Sequence, residues 1–173
     1  MKNLITSLAL VLTFAAQAQT VKSKELKLKY TAPEGWNPSE FGGKTSWDEA
    51  GNNLCKCSGV MFTKQHKDGK LIVLVYPSTI SGLDSLKHDM AGNLKFVDVE
   101  KFDKTKNKNF SFEKKKSYFS DIKTNKKSYE AIKYKAKVED HYYLIYTWQE
   151  SMNMMSPNTE KNLFEVVNAL EPL

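Results

Sequence analysis

The sequence predicts an α+β fold: an antiparallel sheet of about six strands with helices packed on its faces, an α/β/α sandwich. Three observations carry that expectation. Leu71-Ile-Val-Leu-Val-Tyr76 and Tyr142-Tyr-Leu-Ile-Tyr-Thr-Trp148 are nearly unbroken apolar runs bounded by turn residues, so they read as strands buried on both faces. Tyr129 to Val138 alternates, with Ile132, Tyr134, Ala136 and Val138 inward and Lys133, Lys135 and Lys137 outward. Two segments of helical periodicity are available to cover the faces, Ser81 to Asn93 and about Pro157 to Leu170.

The elements follow in order. Lys24 to Tyr30 alternates Leu26, Leu28 and Tyr30 against lysines and reads as a first strand. Thr31-Ala-Pro-Glu-Gly-Trp36 is a turn, and residues 37–54, rich in Gly, Asn, Ser and Pro, read as loop. Ser58 to Lys67 and Lys70 to Tyr76 form a hairpin about Asp68-Gly69, a pair that favours a type I′ turn with positive φ at both positions. The first helix sets Leu83, Leu86, Met90 and Leu94 on one stripe, with Ser81 as its cap. Strands over Lys95 to Phe102, Asn109 to Phe119 and Tyr129 to Val138 follow, and Glu139-Asp-His141 turns the chain into the last apolar run. In the C-terminal helix Ser156 is the cap and Pro157 takes the first position, where a missing N–H costs nothing. Leu163, Phe164, Val166, Val167 and Leu170 give it an apolar face, and Pro172 lies past its end.

Residues 1–18 read as a secretory signal peptide: Lys2 in a charged start, an apolar run from Leu4 to Ala16, and the small-residue cleavage site Ala16-Gln-Ala18. That run is shorter than the roughly 20 residues a membrane anchor needs. The expected locale is therefore periplasmic or secreted, and residues 19–173 form a single domain. All 26 basic residues are lysine. Without arginine there is no planar fork to read guanine edges, which argues against sequence-specific nucleic-acid recognition. Lys101 to Lys137 holds 13 lysines against Asp103, Glu113, Asp121 and Glu130, a balance of +9 within a chain of net charge +6. Such a basic segment suits an anionic protein, glycan or membrane surface, and equally a solvated face that keeps the protein soluble.

Tyr30-x-x-Pro33-x-Gly35-Trp36 after the first strand, the paired strands Tyr129 to Val138 and Tyr142 to Trp148, and the closing helix with Val166-Val-Asn-Ala-Leu-Glu-Pro172 together resemble the PsbP-like fold. This is the family of the extrinsic PsbP protein of photosystem II and of bacterial periplasmic relatives. The resemblance implies a helix–sheet–helix sandwich and an accessory or binding role rather than catalysis. It carries over no functional residue set, and fold alone is a weak guide to function.

The remaining candidates come from the residues themselves. Cys55-Lys56-Cys57 reads as a disulfide closing a small strained ring, as two thiolates for a soft metal, or as a passive pair at the hairpin base. Met152, Met154 and Met155, with His141, could extend a soft-metal site or simply pack. Trp36, Trp148 and the tyrosines of 142–146 would line a cleft or fill the core. His66, His88 and His141 fit no catalytic spacing. The expected function is that of an exported non-enzymatic accessory or binding protein without a cofactor, using Lys133, Lys135 and Lys137 for an anionic partner. A redox or soft-metal protein built on Cys55 and Cys57 is the alternative.

Overall fold

The computed structural model describes residues 20–41, 58–78, 94–98, 103–121, 128–139, 141–151 and 153–173. The expected signal peptide, the helix expected over 81–93, the Cys55–Cys57 pair, His88 and Met152 lie outside them.

The described chain corrects the expected architecture. It forms two antiparallel sheets and, among the described residues, one helix, not a six-stranded sheet with a helical layer on each face. The small sheet orders β1 (Thr20–Ser23), β2 (Leu28–Thr31) and β11 (Leu170–Pro172), with β2 in the middle. The large sheet runs β3 (Asn37–Phe41), β4 (Gly59–Lys64), β5 (Leu71–Ser78), β10 (His141–Gln149), β9 (Ser128–Val138), β8 (Ser111–Asp121) and β6 (Leu94–Asp98). An eighth strand, β7 (Asp103–Lys106), pairs with the start of β8. The helix α1 spans Pro157–Asn168.

The apolar runs behave as their composition dictates. In β5, Leu71, Val73 and Val75 enter one core, while Ile72, Leu74 and Tyr76 enter a second on the opposite face. In β10, Tyr143 and Ile145 face the first core, and Leu144, Tyr146 and Trp148 the second. On the first face the covering layer is mixed. Leu163, Val166 and Val167 of α1 pack there beside Leu28 and Tyr30 of β2 and Leu170 of β11. Each such side chain, removed from water, contributes about 1.5–3 kcal/mol. A three-stranded sheet thus shares with α1 the cover expected of a helix, because the alternation Leu28, Tyr30 is a strand period and not a helical one.

Local chemistry explains the remaining departures. The expected strand over Lys24 to Tyr30 is instead the turn and second arm of a hairpin: Lys27 takes φ 48°, and β1 pairs Val21 with Tyr30. The loop expected at 37 opens with β3, paired to β4 from Asn37 opposite Thr63. The β4–β5 connection is not a type I′ turn, since Gly69 has φ 124° while Asp68 does not enter the left-handed region. A side chain at Gly69 would strike the carbonyl oxygen of Glu150. That tip is stitched to the end of β10 by Gln149 Nε2 donating to Asp68 O at 2.7 Å and Glu150 N to Lys70 O at 2.8 Å. Leu94 opens β6 and does not close a helix. The helix does begin at its cap, Ser156 Oγ accepting the N–H of Thr159 at 3.1 Å with Pro157 following. It ends at Asn168, two residues short of the expectation, and Pro172 lies within β11. A proline is tolerated there because β11 is an edge strand.

Candidate functional site

The basic segment folds into three neighbouring strands, β7, β8 and β9. On β9 the even positions Ile132, Tyr134 and Ala136 lie in the first core, so the odd positions stand on the second face. The register then builds rows across the strands. Lys104 pairs with Glu113, which pairs with Lys135; Lys106 pairs with Ser111; Lys137 pairs with Tyr142 on β10. The long side chains of Lys104 and Lys106 stand on one side of β8 and those of Lys135 and Lys137 on the other, with Ser111 and Glu113 between them. The result is an open trough of about 720 Å³.

Tyr142 of β10 backs the Lys135–Lys137 wall. Its ring, half-buried, lies 5.1 Å from the ammonium of Lys135 and 5.8 Å from that of Lys137. Cation–π attraction of this kind holds two like charges beside one another. Among the described residues none of the four trough lysines has an ion-pair partner. Phe112, on the other face of β8, is buried against Tyr134 at 5.8 Å between ring centres and anchors the floor.

The β7–β8 turn is fixed by side chains. Asn107 Oδ1 accepts the N–H groups of Asn109 at 2.8 Å and Phe110 at 2.6 Å, and its Nδ2 donates to Val167 O at 3.0 Å. Asn109 Nδ2 donates to Leu170 O at 3.2 Å. These two side chains satisfy a carbonyl in the last turn of α1, where helices leave acceptors unpaired, and the first carbonyl of β11. Nearby, Lys29 donates to Glu171 at 2.9 Å and Lys108 stands 3.6 Å from it. The hydrogen bond from Lys29, and secondarily the charge of Lys108, hold the Glu171 carboxyl below the usual range.

The predicted site residues divide. Lys135 and Lys137 line the trough. Lys133 does not point to solvent as expected: it is 8 % exposed, opposite Tyr146 and beside the apolar second core. Trp36 and Trp148 are both buried, in the first and second cores respectively, so they line no common cleft. Met155 is buried in the first core while Met154 is 71 % exposed. His141 begins β10, and His66 stands 3.7 Å from Asp68 in the β4–β5 turn. Among the described residues no three His, Cys, Asp or Glu side chains gather as a metal site. Lys104, Lys106, Ser111 and Glu113 lie within the expected basic segment Lys101 to Lys137 and join the trough through β7 and β8. The signal for them was the short alternation Asp103-Lys-Thr-Lys106 before Asn107-Lys-Asn109.

Burial also raises three tyrosine hydroxyls. Tyr143, donating to Lys27 O, is pushed up to about 12 by desolvation and then by the charge of Glu139. Tyr30, donating to Glu40 at 2.9 Å, and Tyr134, near Glu160, are raised further, desolvation again leading.

No known family's sequence profile matches the chain, and no curated protein matches it in sequence. Among the described residues no helix is long and apolar enough to cross a membrane. Solved structures do resemble it. LpqN, involved in cell envelope biogenesis of Mycobacterium tuberculosis, aligns at 8 % identity and TM-score 0.41, over 83 % of this chain and 82 % of that one. The cyanobacterial PsbP, CyanoP, from Synechocystis sp. PCC 6803 aligns at 11 % identity and TM-score 0.50, over 90 % of this chain and 92 % of that one. That likeness spans nearly the whole of both chains, and the fold of this protein is PsbP-like.

Proposed function

We propose that this is an exported, non-enzymatic accessory protein that docks onto an anionic partner through the lysine-walled trough of β7, β8 and β9. One observation carries the reading: four ammonium groups, Lys104, Lys106, Lys135 and Lys137, surround one concavity in which, among the described residues, Glu113 is the one lining carboxylate. A concave wall of low dielectric focuses such a field and raises the local concentration of anions. The N-terminal pattern of charge, apolar run and small-residue cleavage site supports export. The PsbP-like fold fits an accessory role by analogy.

Fractionation of the source cells, with antibody detection, tests both halves. The expected result is a chain beginning at Gln19 in an exported fraction, held on the envelope at low salt and released as ionic strength rises. A Lys135→Glu, Lys137→Glu variant is expected in the soluble exported pool at all salt concentrations. Lys133 is left alone because it is buried. A chain retaining Met1 in the cytoplasm, or a variant that partitions as the wild type does, would sink the proposal.

A further inference from the structure

The dimensions of the trough say more than its charge. The lysines within each wall are two residues apart on one strand, Lys104 and Lys106 on β7 and Lys135 and Lys137 on β9. Alternate residues of a strand are about 6.7 Å apart, and two strand spacings set the walls about 10 Å from each other. An extended polypeptide has the same 6.7 Å repeat on each side, and with its alternate side chains it fills about 10 Å of breadth. Resting on the anionic-partner reading, we infer that the trough takes an extended acidic peptide segment of a partner protein, whose carboxylates alternate between the two walls.

Glu113 selects for that occupant. It sits on the floor, opposite Lys104 on one side and Lys135 on the other. Its carboxylate accepts the backbone N–H groups that a peptide laid over β8 presents. A phosphate or sulfate ester brings no such donor and meets only repulsion there. A bilayer surface is too broad to enter a concavity of this width. Tyr142 holds Lys135 and Lys137 in place before the peptide arrives, so less side-chain freedom is lost on binding.

The test uses the mature full-length chain and fluorescence anisotropy with four probes. These are a labelled peptide alternating Glu and Ser, a peptide of the same composition with its glutamates in one block, a sulfated oligosaccharide, and phosphatidylglycerol vesicles. The blocked peptide is expected to bind best, because successive residues of an extended chain face opposite walls, whereas strict alternation turns every glutamate to one wall. Lys104→Glu with Lys106→Glu, or Lys135→Glu with Lys137→Glu, should each weaken that binding by about tenfold or more at low salt. Lys22→Glu with Lys114→Glu makes the same change in charge away from the trough, on β1 and on the opposite face of β8, and should leave it nearly unchanged. Glu113→Gln should shift the preference toward the sulfated probe. Equal binding of the two peptides would overturn the inference, as would trough-dependent binding of only the oligosaccharide or the vesicles; the anionic-partner reading would survive either result. Binding of none of the probes, or binding that the trough variants leave intact, would overturn both.

Discussion

The buried carboxylate of Glu130 sets the start of the helix, and removing it should cost a substantial part of the fold's stability. The Glu130 side chain is 2 % exposed. Its Oε2 accepts the N–H of Met155 at 2.6 Å, one residue before the Ser156 cap, and its Oε1 meets the ammonium of Lys116. Lys116 also stands 3.7 Å from Glu160 in the first turn of α1. A hydrogen bond to a charged group is worth about 1.5–3 kcal/mol, and breaking a buried pair by deleting one partner costs about 3–5 kcal/mol. Lys116 keeps Glu160 and is 23 % exposed, so the lower end applies to Glu130→Ala, about 3 kcal/mol. For a domain of this size that is a fall in Tm of about 6–12 °C. Urea unfolding followed by circular dichroism should show a lower midpoint with an unchanged slope. Glu130→Met combined with Lys116→Met should recover only the part owed to the unpaired charge, because the buried N–H of Met155 loses its acceptor in both variants. A loss under about 1 kcal/mol for Glu130→Ala would place the pair among ordinary surface contacts and refute the reasoning.

Other expectations follow from contacts already described. Asn107→Ala removes two accepted and two donated hydrogen bonds at once and strands the N–H of buried Phe110, a loss of about 2 kcal/mol by urea unfolding. The same variant should weaken binding at the trough because Lys104 and Lys106 lose their fixed turn. Tyr30, Tyr134 and Tyr143 have hydroxyls raised in the folded state, so the neutral form is the one the fold favours. Stability from them is full below the unfolded value near 10 and falls as pH rises from about 10 toward 12. Absorbance at the phenolate band should show these three ionising late, alongside the loss of the folded circular-dichroism spectrum. Smooth ionisation of all eight tyrosines with the spectrum of the fold intact would contradict their burial.

How much of this the sequence disclosed depended on how long each pattern ran. Eleven residues of β9 can be read directly from their alternation, and β5 from its unbroken apolar run. The helix start can be read from Ser156 and Pro157, whose cap chemistry is local. β1, β7 and β11 are three or four residues each, and what makes them strands is a partner elsewhere: Lys104 opposite Glu113, Leu170 opposite Tyr30. With β7 unseen, half the trough was unseen. Lys133 shows a second limit. Alternation assigns it to the same face as Lys135 and Lys137, correctly, but exposure along that face is set by the cross-strand neighbour. Lys133 meets Tyr146 within the apolar end, whereas Lys137 meets Tyr142 at the open end. The two tryptophans were separated for the same reason, by register and not by composition.

The last strand of the chain closes its first hairpin. Leu170 to Pro172 lies along β2, and the Lys29–Glu171 bridge joins residues 142 apart in sequence. Pairings of such long range are reached late, because the entropy of closing the loop must be met before any contact rewards it. The small sheet therefore cannot be completed before Leu170 to Pro172 has been synthesised, long after both strands of the first hairpin are available.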